Sequence, residues 1–361
     1  MNITPIERKA KRKQTRTRFF WGFVFVLLAV LTIWIITSQT ETFSWPKLLE
    51  YFRTANPFWM AVAFFSMIGF VLFEAFALRT LEKFFGHKRS ILQNTVYSAA
   101  DVYFSAITPS ATGGQPASAM MMMKDGIPGV TTAMILLVNV LIYTVSIILI
   151  GAFCLVFFPS IYLAFSIPSR ILIWVGLSFQ TIFVAVLVLL IVKEKIVISV
   201  ADWGMRLLHK LHLMRNIETH REKLAQTAAE YRACADALKG HGLLVFKVLL
   251  FNLGQRLCNV LVTVFVCFAI GMDLRLFPTL IITQCYVVLG SNAIPVPGAV
   301  GVADGLFLDG FSSLIEDTAC IELLSRGISF YLCLALCALL FFGALILHSM
   351  KKAKAEKGEP R

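Results

Sequence analysis

The sequence predicts an all-α polytopic membrane protein, with six full spans and two re-entrant hairpins of broken helix arranged as an inverted repeat. Three observations predict it. Charged residues make up 15% of the 361-residue chain and apolar residues 58%, against about 25% charged in an ordinary soluble domain. The apolar residues come in runs near the ~20 needed to cross a bilayer core. Two further apolar stretches carry Pro, Gly and many hydroxyl or amide groups, and such backbone is stable at membrane depth only when buried in protein or lining a cavity.

Residues 1–18 are a basic N-terminus with Arg8, Lys9, Lys11, Arg12, Lys13, Arg16 and Arg18. The apolar run that follows, 19–37, is longer than the core of a signal peptide and lacks a small-residue cleavage site, so it reads as an uncleaved anchor. The first membrane half, 19–158, then contains a span at 57–78, a broken stretch at 90–126 and a span at 129–158. The second half, 159–348, contains spans at 171–192, 243–270 and 321–347, with a broken stretch at 277–310. A basic tail, 349–361, closes the chain.

Between spans lies a basic loop, 193–241. In it Ile217, Leu224, Ala228, Tyr231, Ala235 and Leu238 recur at helical spacing among charges. This reads as an amphipathic helix on the anionic inner leaflet or on a partner. His209, His212 and His220 lack Cys or acidic companions at metal-ligand spacing and read as part of a solvated basic face. The eight cysteines form no C-x-x-C pair and read as small, reduced core residues. No metal or other cofactor is expected.

The net charge of +12 would suit nucleic acid, but its placement suits a membrane. With the N-terminus inside, nearly all Lys and Arg fall on the cytoplasmic side, and the outside keeps only Lys47, Arg53, Arg170 and Arg275. That bias predicts both termini inside, provided each broken stretch returns to the side it entered. The first hairpin then enters from the cytoplasm and the second from outside, which gives the two halves inverted topology, a recurring plan of secondary transporters.

The first break runs from Asp101 through Thr108, Pro109, Ser110, Thr112, Gly113, Gly114 and Gln115 to Pro116. Pro109 ends one half-helix, the glycines permit a tight turn, and Pro116 suits the first turn of the next. The amides of residues 115–119 are then unpaired at the positive end of a helix, where a phosphate or carboxylate is favoured. The second break, 291–304, repeats the device with Pro295, Pro297, Gly298 and Gly301, and ends at Asp304. Two such breaks can line one cavity near the midplane.

Ionisable residues inside spans cost a few kcal/mol each unless they face a cavity or a partner. Arg256 stands about 20 Å from the cytoplasmic start of its span and is the first candidate for an anion ligand, with an ion pair to Glu74 or Asp304 as the alternative. Arg326 lies a turn or two below the outer surface, where either reading applies. Glu74, Asp101 and Asp304 would balance these arginines, bind a cationic head group or carry a proton. The chain contains no G-x-x-x-x-G-K-[ST], H-E-x-x-H or G-x-S-x-G, so neither ATP-driven pumping nor metal- or serine-dependent hydrolysis has visible machinery.

Ala-Thr-Gly-Gly-Gln-Pro at 111–116, Lys-Asp-Gly at 124–126 and Pro-Val-Pro-Gly-Ala-Val-Gly-Val-Ala-Asp at 295–304 resemble the membrane domain of lysylphosphatidylglycerol synthases and flippases, the multiple peptide resistance factor family. The resemblance runs from about the second span to the last. The family's second motif has two glycines after its second proline and a final Glu, where this chain has Gly298-Ala299 and Asp304. The resemblance implies a lipid transporter of a bacterial cytoplasmic membrane, moving an aminoacylated or other phosphate-bearing lipid between leaflets. In full-length relatives a fused soluble domain transfers lysine from lysyl-tRNA to phosphatidylglycerol, and this chain is expected to lack it. The expected partners are a phospholipid or glycolipid substrate and the anionic inner leaflet, without nucleic acid. Other readings are a phosphatidylglycerol lysyltransferase, a membrane partner for a separately encoded synthase, and assembly as a homo-oligomer.

Overall fold

A computed structural model describes residues 45–108, 112–192, 230, 232–292, 299 and 301–356. All regular structure among the described residues is helical. In chain order the helices are α1 (Trp45–Thr54), α2 (Pro57–Phe84), α3 (Ile91–Ile107), α4 (Gly114–Lys124), α5 (Gly129–Phe157), α6 (Pro159–Ala164), α7 (Ile167–Val192), α8 (Gly242–Ala269), α9 (Phe277–Ser291), α10 (Val302–Phe311), α11 (Thr318–Arg326) and α12 (Cys333–Glu356). Residues Gly327–Leu332 join the last two as a π-helical segment.

Local chemistry sets the boundaries. Asn56 caps α2 by accepting from the Phe58 amide at 2.9 Å, with Pro57 at the first helical position. Ser90 and Gln93 form a reciprocal capping box at the start of α3. Thr108, which precedes Pro109, is extended at φ −112°, ψ 145°, as the clash with a following proline ring requires. Gly126, at φ +85°, ends the α4 turn in a conformation that side-chain-bearing residues rarely adopt.

Among the described residues, six helical stretches are long and apolar enough to cross a membrane: Pro57–Phe84, Gly129–Phe157, Ile167–Ile191, Gly242–Ala269, Leu274–Ser291 and Thr318–His348. The span expected at 19–37 lies outside the described residues. Leu274–Ser291 was expected as one arm of a broken stretch, but with its 3-10 start it reaches 18 residues, enough by length for a span of its own. Large apolar side chains face outward along α7, where Trp174 is 51% and Ile182 65% exposed. In a bilayer that surface meets acyl chains.

The centre is the antiparallel pair of α2 and α8. Trp59 stacks on Phe265 at 5.7 Å near one end, Gly69 sits against Cys258, and Phe76 meets Phe251 at 5.7 Å near the other. α5 joins through Asn252 Nδ2, which donates to Asn139 Oδ1 at 3.2 Å. α12 packs on α3 through Tyr103–Phe342 and Phe104–Phe341 contacts.

Both broken stretches fold as antiparallel hairpins. In the first, Gln93 and Tyr97 at the start of α3 bond Asp125 at the end of α4, while Asp101 and Ser105 crowd Gly114. In the second, Gly290 faces Leu306 and Gly310 faces Thr283. Within the basic loop, residues 230 and 232–238 are helical, and Ala235 and Leu238 pack against the core cluster that includes Leu81, Met122 and Val248. Ile217, Leu224, Ala228, Tyr231 and the three histidines 209, 212 and 220 lie outside the described residues.

Buried apolar side chains form two clusters. On α2 the first includes Ala63, Met67 and Val71, and the second Ala77, Leu78 and Leu81. Glu74 lies between them. On α8 the corresponding gap, between Val248 and Val260, holds Asn252, Gln255 and Arg256. A polar layer thus separates the two apolar cores.

A buried polar layer and two charged clusters

The layer is built on four helices. Glu74 of α2, 4% exposed, accepts from Ser98 Oγ of α3 at 2.9 Å and from Gln255 Nε2 of α8 at 3.1 Å. Asp101 follows Ser98 by one turn on the same face of α3, which makes its carboxyl the neighbour of the Glu74 carboxyl. Asp101 in turn accepts from Ser105 Oγ at 3.1 Å and, across the first break, from Gln115 Nε2 at 2.7 Å. The break therefore closes onto the layer through Asp101.

Gly114 makes that closure possible. A Cβ there would lie 2.6 Å from the Asp101 carbonyl oxygen and closer still to Asp101 Oδ1 and Ser105 Oγ. The Gly113 amide donates to Thr108 Oγ1 at 2.9 Å, and Thr112 is exposed on the turn. One expectation shifts. Helix α4 starts at Gly114, and the Ala117 amide already donates to the Gly113 carbonyl, so the first-turn amides outside the helical ladder belong to Gly114 and Gln115, not to 115–119; Pro116 has none. Gln115 is also engaged with Asp101 rather than held free for a ligand.

Arg256 is 6% exposed and lies midway along α8, about 20 Å from either end. Its guanidinium carbon sits 4.0 Å from the Tyr143 ring centroid and 5.3 Å from that of Phe70, within cation–π range. Among the described residues no carboxylate reaches salt-bridge distance of it, and its Nε has no hydrogen-bond partner. Neither ion pair considered for Arg256 forms: Glu74 is engaged with Ser98 and Gln255, and Asp304 with a different arginine.

That arginine is Arg326. It is ion-paired with Asp304 and, at 3.1 Å, with Glu322 one turn earlier on α11. Asp304 is fully buried and also accepts from the Gly301 amide at 2.7 Å, so one carboxylate both caps α10 and neutralises Arg326. The sequence reading missed Glu322. Its i, i+4 spacing to Arg326 was the available signal. Thr263 and Ser325 share a 2.7 Å hydrogen bond that sets this second cluster beside α8, seven residues or about 10 Å along the helix from Arg256. Pro295, Pro297 and Gly298 lie outside the described residues. Ala299, where the resembling motif has glycine, adopts φ +50°.

The two clusters match in composition, two carboxylates and one guanidinium each, but not in state. The Arg326 cluster is closed by direct ion pairs, whereas Arg256 faces the layer with hydrogen-bonding capacity unspent. Along α8 the polar groups Asn252, Gln255, Arg256, Asn259 and Thr263 follow one another at helical spacing on one face. A cleft of about 440 Å³ opens beside it between α5, α8 and α9, lined by Phe153, Leu253, Leu257, Ile281 and Cys285 and almost wholly apolar. No group of His, Cys, Asp and Glu able to hold a metal ion occurs among the described residues.

The family profile for the lysylphosphatidylglycerol synthase TM region matches residues 19–337. A curated relative described as a UPF0104 membrane protein, from Archaeoglobus fulgidus, is 27% identical over 113 residues, which is 31% of this chain and 33% of that protein. The chain thus spans about a third of the length of the curated relative it matches.

Proposed function

Because the chain belongs to the lysylphosphatidylglycerol synthase transmembrane-region family, a multi-pass membrane family tied to lipid metabolism, we propose that it is a lipid transporter that carries a phosphate-bearing head group between leaflets through its polar layer. The single observation that carries this reading is Arg256. A guanidinium 6% exposed, at mid-helix, without a carboxylate at ion-pair distance among the described residues, is costly in hydrocarbon. A phosphate diester carried between leaflets would pass that depth, and it would accept two parallel N–H bonds from the planar fork.

In this reading the head group enters where the first break closes onto the polar layer, beside Asp101 and Gln115, and its acyl chains run along the apolar cleft of Leu253, Leu257 and Ile281. The cationic parts of an aminoacylated head group would face Asp101. The charge bias supports an orientation with both termini on the cytoplasmic side of a bacterial membrane, in which the two hairpins would enter from opposite sides as the reversed halves of an inverted repeat. Alternating access would come from one half rocking against the other. A soluble synthase encoded apart, and a second copy of the chain, are partners compatible with this role.

Leaflet exchange in proteoliposomes tests it. Purified protein should accelerate movement of a labelled phosphatidylglycerol over protein-free vesicles. Arg256→Ala should abolish the acceleration, and Arg256→Lys, which keeps charge but loses the planar fork, should retain part of it. Undiminished exchange in Arg256→Ala removes the proposed site, and formation of a covalently altered lipid by the purified chain favours the enzyme reading instead.

A further inference from the structure

Glu74 accepts from Ser98, and Asp101 follows Ser98 by one turn on the same face of α3, so the two carboxyl groups are neighbours in the layer. Ionised carboxylates only accept, so neighbouring ones repel unless one of them holds a proton. The donors around them are already assigned: Ser98 and Gln255 to Glu74, Ser105 and Gln115 to Asp101. None of these supplies a proton to the pair. Two neighbouring like charges cannot both persist in a buried site, and one carboxyl holds a proton.

The charge count agrees. Two carboxylates against the single guanidinium of Arg256 leave one negative charge over, and one shared proton brings the layer to neutrality. Among the described residues, the other titratable groups facing the pair are Tyr143 from α5 and Cys337 from α12, and tyrosine and cysteine side chains are ordinarily neutral at pH 7. The second cluster lacks this openness, because Arg326 is paired directly with both of its carboxylates.

We infer that the Glu74–Asp101 pair is a proton-binding site coupled to anion binding at Arg256, so that one proton travels with each phosphate. This rests on the proposed transport reading. With the site empty, the pair holds one proton and Arg256 offsets its remaining negative charge. When a phosphate monoanion takes the guanidinium, that charge loses its counter-ion, and the pair takes up a second proton from water. Release of the phosphate on the far side returns that proton to water there. Lipid monoanion and proton cross together, no net charge moves, and no bond other than O–H is made or broken. Asp101 is the port for exchange, since it stays partly exposed beside the break while Glu74 is 4% exposed.

Two measurements test the inference separately. The first reads the proton without transport. Infrared difference spectra of the reconstituted protein should contain a deuterium-sensitive carboxylic-acid carbonyl component that disappears in Glu74→Gln; Asp101→Asn, which should shift it, serves if Glu74→Gln does not survive reconstitution. An unchanged component in both variants overturns the proton site. The second reads coupling, with labelled phosphatidylglycerol in phosphatidylcholine vesicles. One proton per lipid converts a one-unit pH difference into about a tenfold bias of the label toward the alkaline-side leaflet, independent of an imposed potassium-diffusion potential. Whatever exchange remains in Asp101→Asn should carry no such bias. Wild-type exchange without bias, or with bias toward the acidic side, overturns the coupling while leaving the transport reading intact. Absence of wild-type exchange at every pH overturns the transport reading and the coupling with it, and the infrared component then decides the proton site alone.

Discussion

Substituting Gly114 by alanine should break the closure of the first break onto the polar layer. The new Cβ would sit 2.6 Å from a backbone oxygen, that of Asp101, where ordinary carbon–oxygen contact needs more than 3 Å. A carbonyl cannot rotate away as a side chain can, so α4 must retreat from α3 by the better part of an ångström. Overpacking of that kind costs about 1–3 kcal/mol. The retreat also draws Gln115 Nε2 away from Asp101 Oδ2, now at 2.7 Å, and a lost hydrogen bond to a charged group adds about 1.5–3 kcal/mol, not fully additively. Gly343→Ala is the matched control. A Cβ there meets nothing within 4 Å, and alanine in a helix interior gains about 0.5–1 kcal/mol over glycine. Thermal unfolding in one detergent should therefore move the two variants in opposite directions, Gly114→Ala downward by on the order of 5 °C. If Gly114→Ala unfolds together with wild type, the close approach of α4 to Asp101 is wrong, and with it the link between the break and Arg256.

Three further outcomes are expected. Arg326→Met strands Asp304 and Glu322 without their counter-charge and should cost about 3–5 kcal/mol in detergent denaturation, with Glu322→Gln in the same chain recovering part of the loss. Helix α1 is clamped by Asp317, which accepts from Lys47 Nζ at 2.9 Å and Tyr51 Oη at 2.8 Å; burial opposes ionisation of Asp317, but the hydrogen bonds from Lys47 and Tyr51 outweigh it and hold the carboxyl below its usual range. Burial, with the bond to Asp317, pushes Tyr51 up to about 12, and the same bond raises Lys47. The Asp317 contribution is thus present above the ordinary carboxylate pKa and lost as pH falls through the depressed one. The Tyr51 contribution is full below its ordinary pKa of about 10 and lost as pH rises through the folded value near 12, and the Lys47 contribution is lost only above its own raised pKa. Trp45 fluorescence and protease cleavage of α1 should report release at both extremes, and Asp317→Asn should remove both transitions. Finally, Ala299→Gly should relieve about 1–2 kcal/mol of left-handed strain at φ +50° against about 0.5–1 kcal/mol of added chain entropy, a small net rise in midpoint; a fall would show that the Ala299 methyl contributes packing there.

The spans were legible because bilayer thickness imposes a length that composition alone reports. Gly113, Gly114 and Pro116 were legible because a break needs residues of special backbone freedom, and Arg256 because charge at mid-span is conspicuous. Partner choice was not legible. Whether Asp304 meets Arg256 or Arg326 depends on which neighbour the polar faces of α8 and α11 are turned toward, and helical periodicity marks a polar face without naming the helix it meets. The same indeterminacy hid Tyr143, whose ring under Arg256 reads in sequence as one more aromatic in an apolar run. It also hid the length of α9: Pro278 suits the first turn of a helix as well as a break, and only the 3-10 turn before it extends the stretch to spanning length.

On the transport reading, the polar face of α8 would offer several stations rather than one. Asn252, Gln255 with Arg256, Asn259 and Thr263 recur at intervals of about one helical turn, near 5.4 Å, and phosphate oxygens on opposite corners of one group span roughly half that. A head group sliding along α8 would meet its next donor within a few ångströms of leaving the last, so desolvation would be divided among several small steps. The helix that presents the deepest charge would then also act as its handrail.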